Sequence, residues 1–280
     1  MKYFSLLFLF LLVTNGIFAQ QITCSPKDKA AVENKLVEID GMYDGNFGET
    51  MVSVGKTFMK TPYVAKTLEI GDTETLVVNL HGLDCTTFVE NVLDLSKLLR
   101  ADDLSFDAFI KNLETIRYKD GELDGYASRL HYFSEWIANN AEKGLLQDIT
   151  GEIGGAEITK DINFMSTHRD LYPFLVDDTN YSKIKASENY LNNQAICVLA
   201  QDKIAENEHL IQSGDIIALA TSINGLDVTH TGIATREKDG RIHLLHASTG
   251  SMQVEVSKKP LAEYLKDIKS NTGIMVARPL

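Results

Sequence analysis

A cysteine at the start of an amphipathic segment constrains this chain more than any other feature. An apolar run over residues 76–80 is followed by Gly82, and the segment 85–99 begins at Cys85. The apolar residues of that segment recur at helical spacing: Phe88, Val92, Leu95 and Leu99. The pattern predicts a strand, a turn and a buried helix with Cys85 in its first turn.

Two interpretations of Cys85 follow from this position. Unpaired backbone N–H groups and the positive end of a helix dipole favour a thiolate over a thiol, which suits a nucleophile. Most free cysteines, however, are small buried hydrophobic residues without chemistry. The nucleophile hypothesis therefore requires a base from elsewhere in the chain.

The start of the chain has the pattern of an export signal. Lys2 is followed by an apolar run of about ten residues and then by Ala19, a small residue suited to cleavage. The run is shorter than the roughly 20 apolar residues of a transmembrane helix. We therefore predict a signal peptide over residues 1–19 and an exported mature protein, periplasmic or secreted, with no stable membrane insertion after cleavage.

Composition is ordinary for a globular domain, with 44% hydrophobic and 24% charged residues. The net charge of −12 argues against a basic surface that binds nucleic acid. Three cysteines, Cys24, Cys85 and Cys197, leave at least one thiol unpaired in an oxidising compartment. A Cys24–Cys197 disulfide with Cys85 free is one arrangement, and the spacing leaves the pairing open.

The order of the predicted elements indicates an α+β fold. Helical patterns dominate up to about residue 195, and short β-rich runs separated by Gly, Asn or Asp follow. These runs cover residues 196–199, 215–220, 228–236, 241–246, 252–256 and 273–277. A helix is predicted over residues 260–269. Helices followed by an antiparallel meander are typical of α+β proteins.

Two histidines on neighbouring predicted strands provide the missing base. The turn Lys238-Asp239-Gly240 lies between the strands of His230 and His246, so these strands should pair and the imidazoles come within hydrogen-bonding distance. Cys85 would attack a carbonyl, His230 would take its proton and return it to the leaving amine, and His246 would orient His230. The Cys85 N–H and the Tyr63 hydroxyl would meet the oxyanion.

Other polar residues suggest competing or additional sites. A metal site is conceivable from four histidines, but no HExxH or paired CxxC motif supports it. These histidines are His81, His230, His243 and His246. A serine triad lacks its G-x-S-x-G motif. In the aromatic stretch 128–136, Arg129 and His131 are candidates for lining a substrate groove, whereas the aromatic residues suit a core.

Five motifs, taken in order, resemble those of the NlpC-type bacterial cell-wall cysteine peptidases. They are Thr61-Pro62-Tyr63, Asp84-Cys85-Thr86-Thr87-Phe88, Ser213-Gly214-Asp215, His230-Thr231-Gly232-Ile233 and His246-Ala247-Ser248. The family pattern has glycine where this chain has Lys60 and Thr87. The resemblance implies a papain-like core in one domain over residues 20–280, with Cys85, His230 and His246 as catalytic residues and no cofactor.

The long helical stretch, taken as an insertion over about residues 101–195, is similar to the N-acetylmuramoyl-L-alanine amidase-like branch of that superfamily. This resemblance implies cleavage of the amide between N-acetylmuramic acid and L-alanine in peptidoglycan or its fragments. One alternative is an endopeptidase with the same triad that cuts the D-glutamyl–diamino acid bond of the stem peptide. Another is a cell-wall binding domain without catalytic activity.

Overall fold

The computed structural model describes residues 22–280, and the predicted signal peptide lies outside them. Within these residues the α-helices are α1 (Pro26–Ile39), α2 (Phe47–Lys56), α3 (Cys85–Ala101), α4 (Phe106–Arg117), α5 (Phe133–Glu142), α6 (Phe164–Thr167), α7 (Asp178–Leu191), α8 (Ile204–Asn207) and α9 (Leu261–Tyr264). The strands are β1 (Ile22–Thr23), β2 (Leu76–Val77), β3 (Leu146–Asp148), β4 (Ala156–Ile158), β5 (Ile196–Ala200), β6 (Ile216–Thr221), β7 (Val228–Arg236), β8 (Ile242–Ser248), β9 (Gln253–Val256) and β10 (Asn271–Pro279).

An antiparallel sheet carries the second half of the chain and confirms the α+β prediction. Its strand order is β4-β5-β10-β6-β7-β8-β9, and β3 pairs with β10. The strands β6 to β9 form the predicted meander, but β10 lies between β5 and β6. Helix α3 packs on β7 and β8, so the start of α3 lies close to the strands that carry the histidines.

Helix α3 begins at Cys85 because Asp84 caps it. The Asp84 carboxylate accepts a hydrogen bond from the Thr87 N–H at 2.8 Å, and the Thr87 hydroxyl accepts one from the Asp84 N–H at 2.9 Å. This reciprocal capping box contributes on the order of 1 kcal/mol and fixes the first helical residue. Thr87, which replaces the glycine of the related motif, is therefore used for capping.

Two predicted elements are shorter in the structure. The strand predicted from the apolar run over residues 76–80 covers only Leu76–Val77, and much of the preceding stretch is a loop. Side chains hold this loop in place, since Arg129 binds Glu69 and the Lys66 ammonium binds the Leu171 carbonyl at 3.1 Å. The helix predicted over residues 260–269 ends at Tyr264, and a 3-10 turn continues it.

No helix within residues 22–280 is both long and apolar enough to cross a membrane. Cys24, Cys85 and Cys197 all have free thiols. The arrangement with a Cys24–Cys197 disulfide is therefore not the one in this structure.

Candidate active site

Cys85 is the first residue of α3, and Thr231 of β7 lies directly against it. The Thr231 hydroxyl donates a hydrogen bond to the Cys85 carbonyl at 3.0 Å. The N–H and hydroxyl of Thr231 and the hydroxyl of Thr86 also lie within hydrogen-bonding reach of the thiol. The residue itself keeps some exposed surface. The helix start thus brings the thiol to β7, one residue from His230.

The Cys85 thiol is protonated in the resting protein. Burial and the negative charge of Asp84 raise the pKa of Cys85 to about 11, although the hydrogen bonds from Thr231 and Thr86 oppose this rise. The helix start was expected to favour a thiolate, whereas desolvation and the capping carboxylate both favour the protonated thiol. Attack by this sulfur therefore requires a base that removes its proton.

His230 and His246 form a short hydrogen bond. Nε2 of His230 lies 2.6 Å from Nδ1 of His246, and the two rings are nearly perpendicular, at 84°. Burial lowers the pKa of His230 to about 4, and burial together with His230 lowers the pKa of His246 to about 3. Both imidazoles are therefore neutral near pH 7. We call Cys85, His230 and His246 the histidine cluster.

The strand geometry explains why these two rings meet. Thr229 is an extra residue on β7, since Val228 pairs with Ala220 and His230 with Leu219. Such a bulge re-aims the side chains that follow it. Gly232 lies two residues beyond His230, and a Cβ there would come within 2.9 Å of the His246 Cβ. Glycine at this position therefore makes room for His246.

Tyr63, the predicted oxyanion donor, lies near enough to Cys85 for the two groups to interact electrostatically. Its N–H donates to the Met252 carbonyl at 2.9 Å, which fixes the backbone. Burial and the neighbouring Cys85 and Asp84 raise the pKa of Tyr63 to about 12. The phenol therefore keeps its proton and can donate a hydrogen bond.

Arg129 and His131, predicted to line a groove, lie in a different cluster. Arg129 is buried, with its guanidinium against Glu69 and Glu74. Nε2 of His131 lies 2.8 Å from the Tyr126 carbonyl, and burial lowers the His131 pKa well below its usual value. Arg129 is thus already neutralised by carboxylates. The sequence could not show this, because both partners lie more than fifty residues away.

Five buried or half-buried charges form what we call the ion-pair cluster. They are Glu69, Glu74, Glu90, Arg117 and Arg129. Arg117 Nε lies 2.7 Å from the Glu90 carboxylate, and its Nη1 donates to the Val77 carbonyl at 2.8 Å. Glu74 also accepts a hydrogen bond from Tyr118 at 2.9 Å. Each charge of this cluster therefore has an opposite charge beside it.

The four histidines considered as metal ligands do not converge. His81 lies 3.8 Å from Asp28, and His243 binds the Ser257 carbonyl and Asp239 at 2.7 and 3.1 Å. Across residues 22–280, no three His, Cys, Asp or Glu side chains are grouped so that they could hold a metal ion.

Sequence reasoning missed two residues that change the pKa of the thiol. Thr231 lies within the motif His230-Thr231-Gly232-Ile233, and Asp84 is the helix cap. The cap has a recognisable signal, an aspartate directly before an apolar helical pattern. A threonine next to a strand histidine has no comparable signal.

Comparison with known proteins identifies a family and several similar solved structures. A family model described as N-acetylmuramoyl-L-alanine amidase-like matches residues 53–274. The structure of an N-acetylmuramoyl-L-alanine amidase from Bacteroides uniformis is 42% identical, with a TM-score of 0.80, over 84% of this chain and 100% of that chain. A Bacteroides fragilis protein, named provisionally as a xylanase, is 44% identical, with a TM-score of 0.76, over 80% and 98%.

A more distant structure shares the fold alone. It is a Legionella pneumophila protein, 20% identical with a TM-score of 0.67, over 91% of this chain and 95% of that chain. No curated protein matches the sequence.

Proposed function

Because the chain belongs to the N-acetylmuramoyl-L-alanine amidase-like family, we propose that it is a cell-wall amidase in which Cys85 cleaves the bond between N-acetylmuramic acid and L-alanine in peptidoglycan fragments. One observation carries the cysteine mechanism. His230, which is hydrogen-bonded to His246, is next in sequence to Thr231, and the Thr231 hydroxyl binds the Cys85 carbonyl. A thiol, a base and a group that orients the base are the parts of nucleophilic acyl transfer.

In the first step, the Cys85 sulfur attacks the lactyl carbonyl of N-acetylmuramic acid. Nδ1 of His230 takes the thiol proton during attack, because Nε2 is engaged with His246. The tetrahedral intermediate collapses when the carbon–nitrogen bond breaks and His230 gives its proton to the leaving amine of L-alanine. The products are a free peptide and a thioester between Cys85 and the muramoyl group.

In the second step, water hydrolyses this thioester. His230 takes a proton from the water as its oxygen attacks the thioester carbonyl, and the proton passes to the departing sulfur. The sugar leaves with a free lactyl carboxylic acid, which loses its proton to solvent, and the neutral thiol and imidazole are restored. No charge persists in the site between turnovers, which agrees with the raised pKa of Cys85 and the lowered pKa of His230.

Two donors suit the oxyanion of both steps. The Cys85 N–H is one of the first N–H groups of α3, which have no carbonyl partner inside the helix. The Tyr63 hydroxyl keeps its proton and lies near enough to Cys85 to interact with it electrostatically. Loss of one such donor typically costs about 10²–10³-fold in kcat.

We extend the proposal to architecture and location. A cysteine at a helix start, packed on antiparallel strands that carry two histidines, supports an NlpC-type, papain-like core. Residues 20–280 would be one domain with a helical insertion over about residues 101–195. The pattern of residues 1–19 supports export to the periplasm or secretion, where peptidoglycan fragments would be the substrate.

Mass spectrometry of the products tests the bond that is cut. Purified muropeptides are incubated with the mature protein, and the products are identified by mass. We expect a free muramoyl sugar together with an intact stem peptide. Shortened stems still attached to sugar would contradict the proposal and identify an endopeptidase, and binding without turnover would identify a cell-wall binding domain.

A further inference from the structure

One nitrogen of the histidine cluster is buried without a polar partner. His246 is 1% exposed, and its Nε2 makes no hydrogen bond to any described residue. The ring of Tyr264 lies next to it, with a centroid separation of 5.6 Å and an interplanar angle of 70°. Tyr264 is the last residue of α9, and no hydrogen bond joins its hydroxyl to residues 22–280. The Tyr264 ring thus meets the His246 imidazole as a near-perpendicular aromatic pair.

The protonation of this nitrogen decides whether His230 can act as a base. A neutral imidazole carries one N–H and one bare nitrogen. For Nδ1 of His230 to accept the thiol proton, Nε2 of His230 must carry the hydrogen and donate it to Nδ1 of His246. The hydrogen of His246 must then be on its buried Nε2. In the opposite arrangement Nδ1 of His230 is already protonated and cannot accept a proton.

The Tyr264 ring distinguishes the two arrangements electrostatically. An aromatic face carries partial negative charge, so it attracts an N–H and repels a nitrogen lone pair. Resting on the proposed cysteine mechanism, we propose that Tyr264 is a positioning residue that turns its ring face to Nε2 of His246, holds His246 in the Nε2–H tautomer and so keeps Nδ1 of His230 free to act as the base. Its hydroxyl is not needed for this role.

The test compares two substitutions of Tyr264 by two readouts. ¹⁵N NMR of histidine-labelled protein reports which nitrogen of each imidazole is protonated, and loss of a signal in the variant His246→Gln assigns it. We expect Nε2–H at His246 in the wild type and in Tyr264→Phe, with equal kcat. In Tyr264→Leu we expect a shift towards Nδ1–H and a fall in kcat of about fivefold at unchanged KM, since a ring contact of this kind contributes about 1 kcal/mol.

Three results would overturn the proposal: Nδ1–H at His246 in the wild type, an unchanged tautomer in Tyr264→Leu, or an equal loss of kcat in Tyr264→Phe. If Tyr264→Leu does not fold, the wild-type spectrum decides, with Nε2–H supporting the role and Nδ1–H excluding it. The spectra are recorded without substrate. Failure of the proposed amidase activity is therefore seen separately, in the product assay.

Discussion

Helix α3 carries two polar clusters that handle burial in opposite ways. At its start, the histidine cluster is neutral, because burial keeps the thiol protonated and both imidazoles uncharged. Five residues later, Glu90 belongs to the ion-pair cluster, where Glu90 and Arg117 are each about 2% exposed and remain paired at 2.7 Å. Helix α3 therefore carries one buried cluster whose groups are uncharged and one whose charges are paired.

The difference indicates separate roles for the two clusters. The charges of the ion-pair cluster have opposite charges beside them, so they join α3 to α4 and join Arg129 to the loop over residues 64–75. Both clusters also hold buried polar atoms without a hydrogen-bond partner: Nε2 of His246 in the histidine cluster, and Oε2 of Glu69 and of Glu74 in the ion-pair cluster. The histidine cluster differs in that its thiol and imidazoles are uncharged near pH 7 and can exchange protons, whereas removal of one partner from a buried ion pair weakens the fold. We therefore expect substitutions in the ion-pair cluster to change stability and substitutions in the histidine cluster to change activity.

The largest expected effect on activity is that of Cys85→Ala. Without the sulfur no thioester can form, so hydrolysis of muropeptides should be lost. The free energy of unfolding should change by less than about 1 kcal/mol, because alanine suits a helix and the site is partly open. Cys24→Ala and Cys197→Ala are matched controls that should keep full activity. Equal activity in all three variants would remove Cys85 from the mechanism.

The second largest effect on activity is expected for His230→Ala. A general base typically contributes about 10²–10⁴-fold, and we expect a fall in kcat/KM of that size. The measurement is the initial rate of peptide release under conditions where thermal melting shows the variant to be folded. His243→Ala removes a histidine from the neighbouring strand and should retain activity. If both variants lose activity to the same extent, the effect is structural rather than catalytic.

For the ion-pair cluster, Arg117→Ala should affect stability. The substitution leaves the Glu90 carboxylate buried without its partner and the Val77 carbonyl without its donor, which costs about 3–5 kcal/mol. Urea unfolding measures this loss. The exposed pair Lys203–Glu206, at 3.3 Å, provides the control, since Lys203→Ala should cost less than about 1 kcal/mol. A similar small loss in both variants would show that the buried pair contributes little.

The smallest expected effect is a dependence of stability on pH. The pKa of His246 is about 3 in the folded state, and unfolding returns it to about 6.5. Below pH 6.5 the unfolded chain binds the extra proton, so the stability that His246 provides at neutral pH is lost as the pH falls. Between pH 7 and pH 5 the wild type should lose about 2 kcal/mol more than His246→Gln in urea unfolding.

His243 provides a control of opposite sign. Hydrogen bonds to Ser257 and Asp239 outweigh burial and raise the pKa of His243, so its contribution to stability grows on acidification. His243→Gln should therefore lose more stability than the wild type between pH 7 and pH 5. Identical pH dependence in His243→Gln and His246→Gln would contradict the assignment of the two histidines to different environments.

Local patterns predicted much of the fold. Apolar spacing predicted a helix with Cys85 in its first turn, and the turn at Lys238-Asp239-Gly240 predicted the strand pair of the two histidines. These features depend on residues that are close in sequence. The position of β10 between β5 and β6 could not be predicted in this way, because it results from contacts between strands that are far apart in the chain.

The site was predictable to a similar degree. The motifs indicated Cys85, His230 and His246, and the structure brings Thr231 of β7 against Cys85 and joins the two histidines by a hydrogen bond. The protonation state of the thiol could not be predicted, since it depends on burial and on the charge of Asp84. Burial of Arg129 between Glu69 and Glu74 was equally inaccessible, because sequence alone does not show which charges pair over long distances.

The covalent intermediate tests the central claim most directly. Muropeptide and enzyme are mixed, quenched in acid within one turnover and digested, and the peptide that contains Cys85 is weighed by mass spectrometry. The account predicts an added muramoyl group, bound through its lactyl carbonyl and without alanine. An adduct on Cys85 that still carries L-alanine, or turnover with no adduct on Cys85, would contradict it.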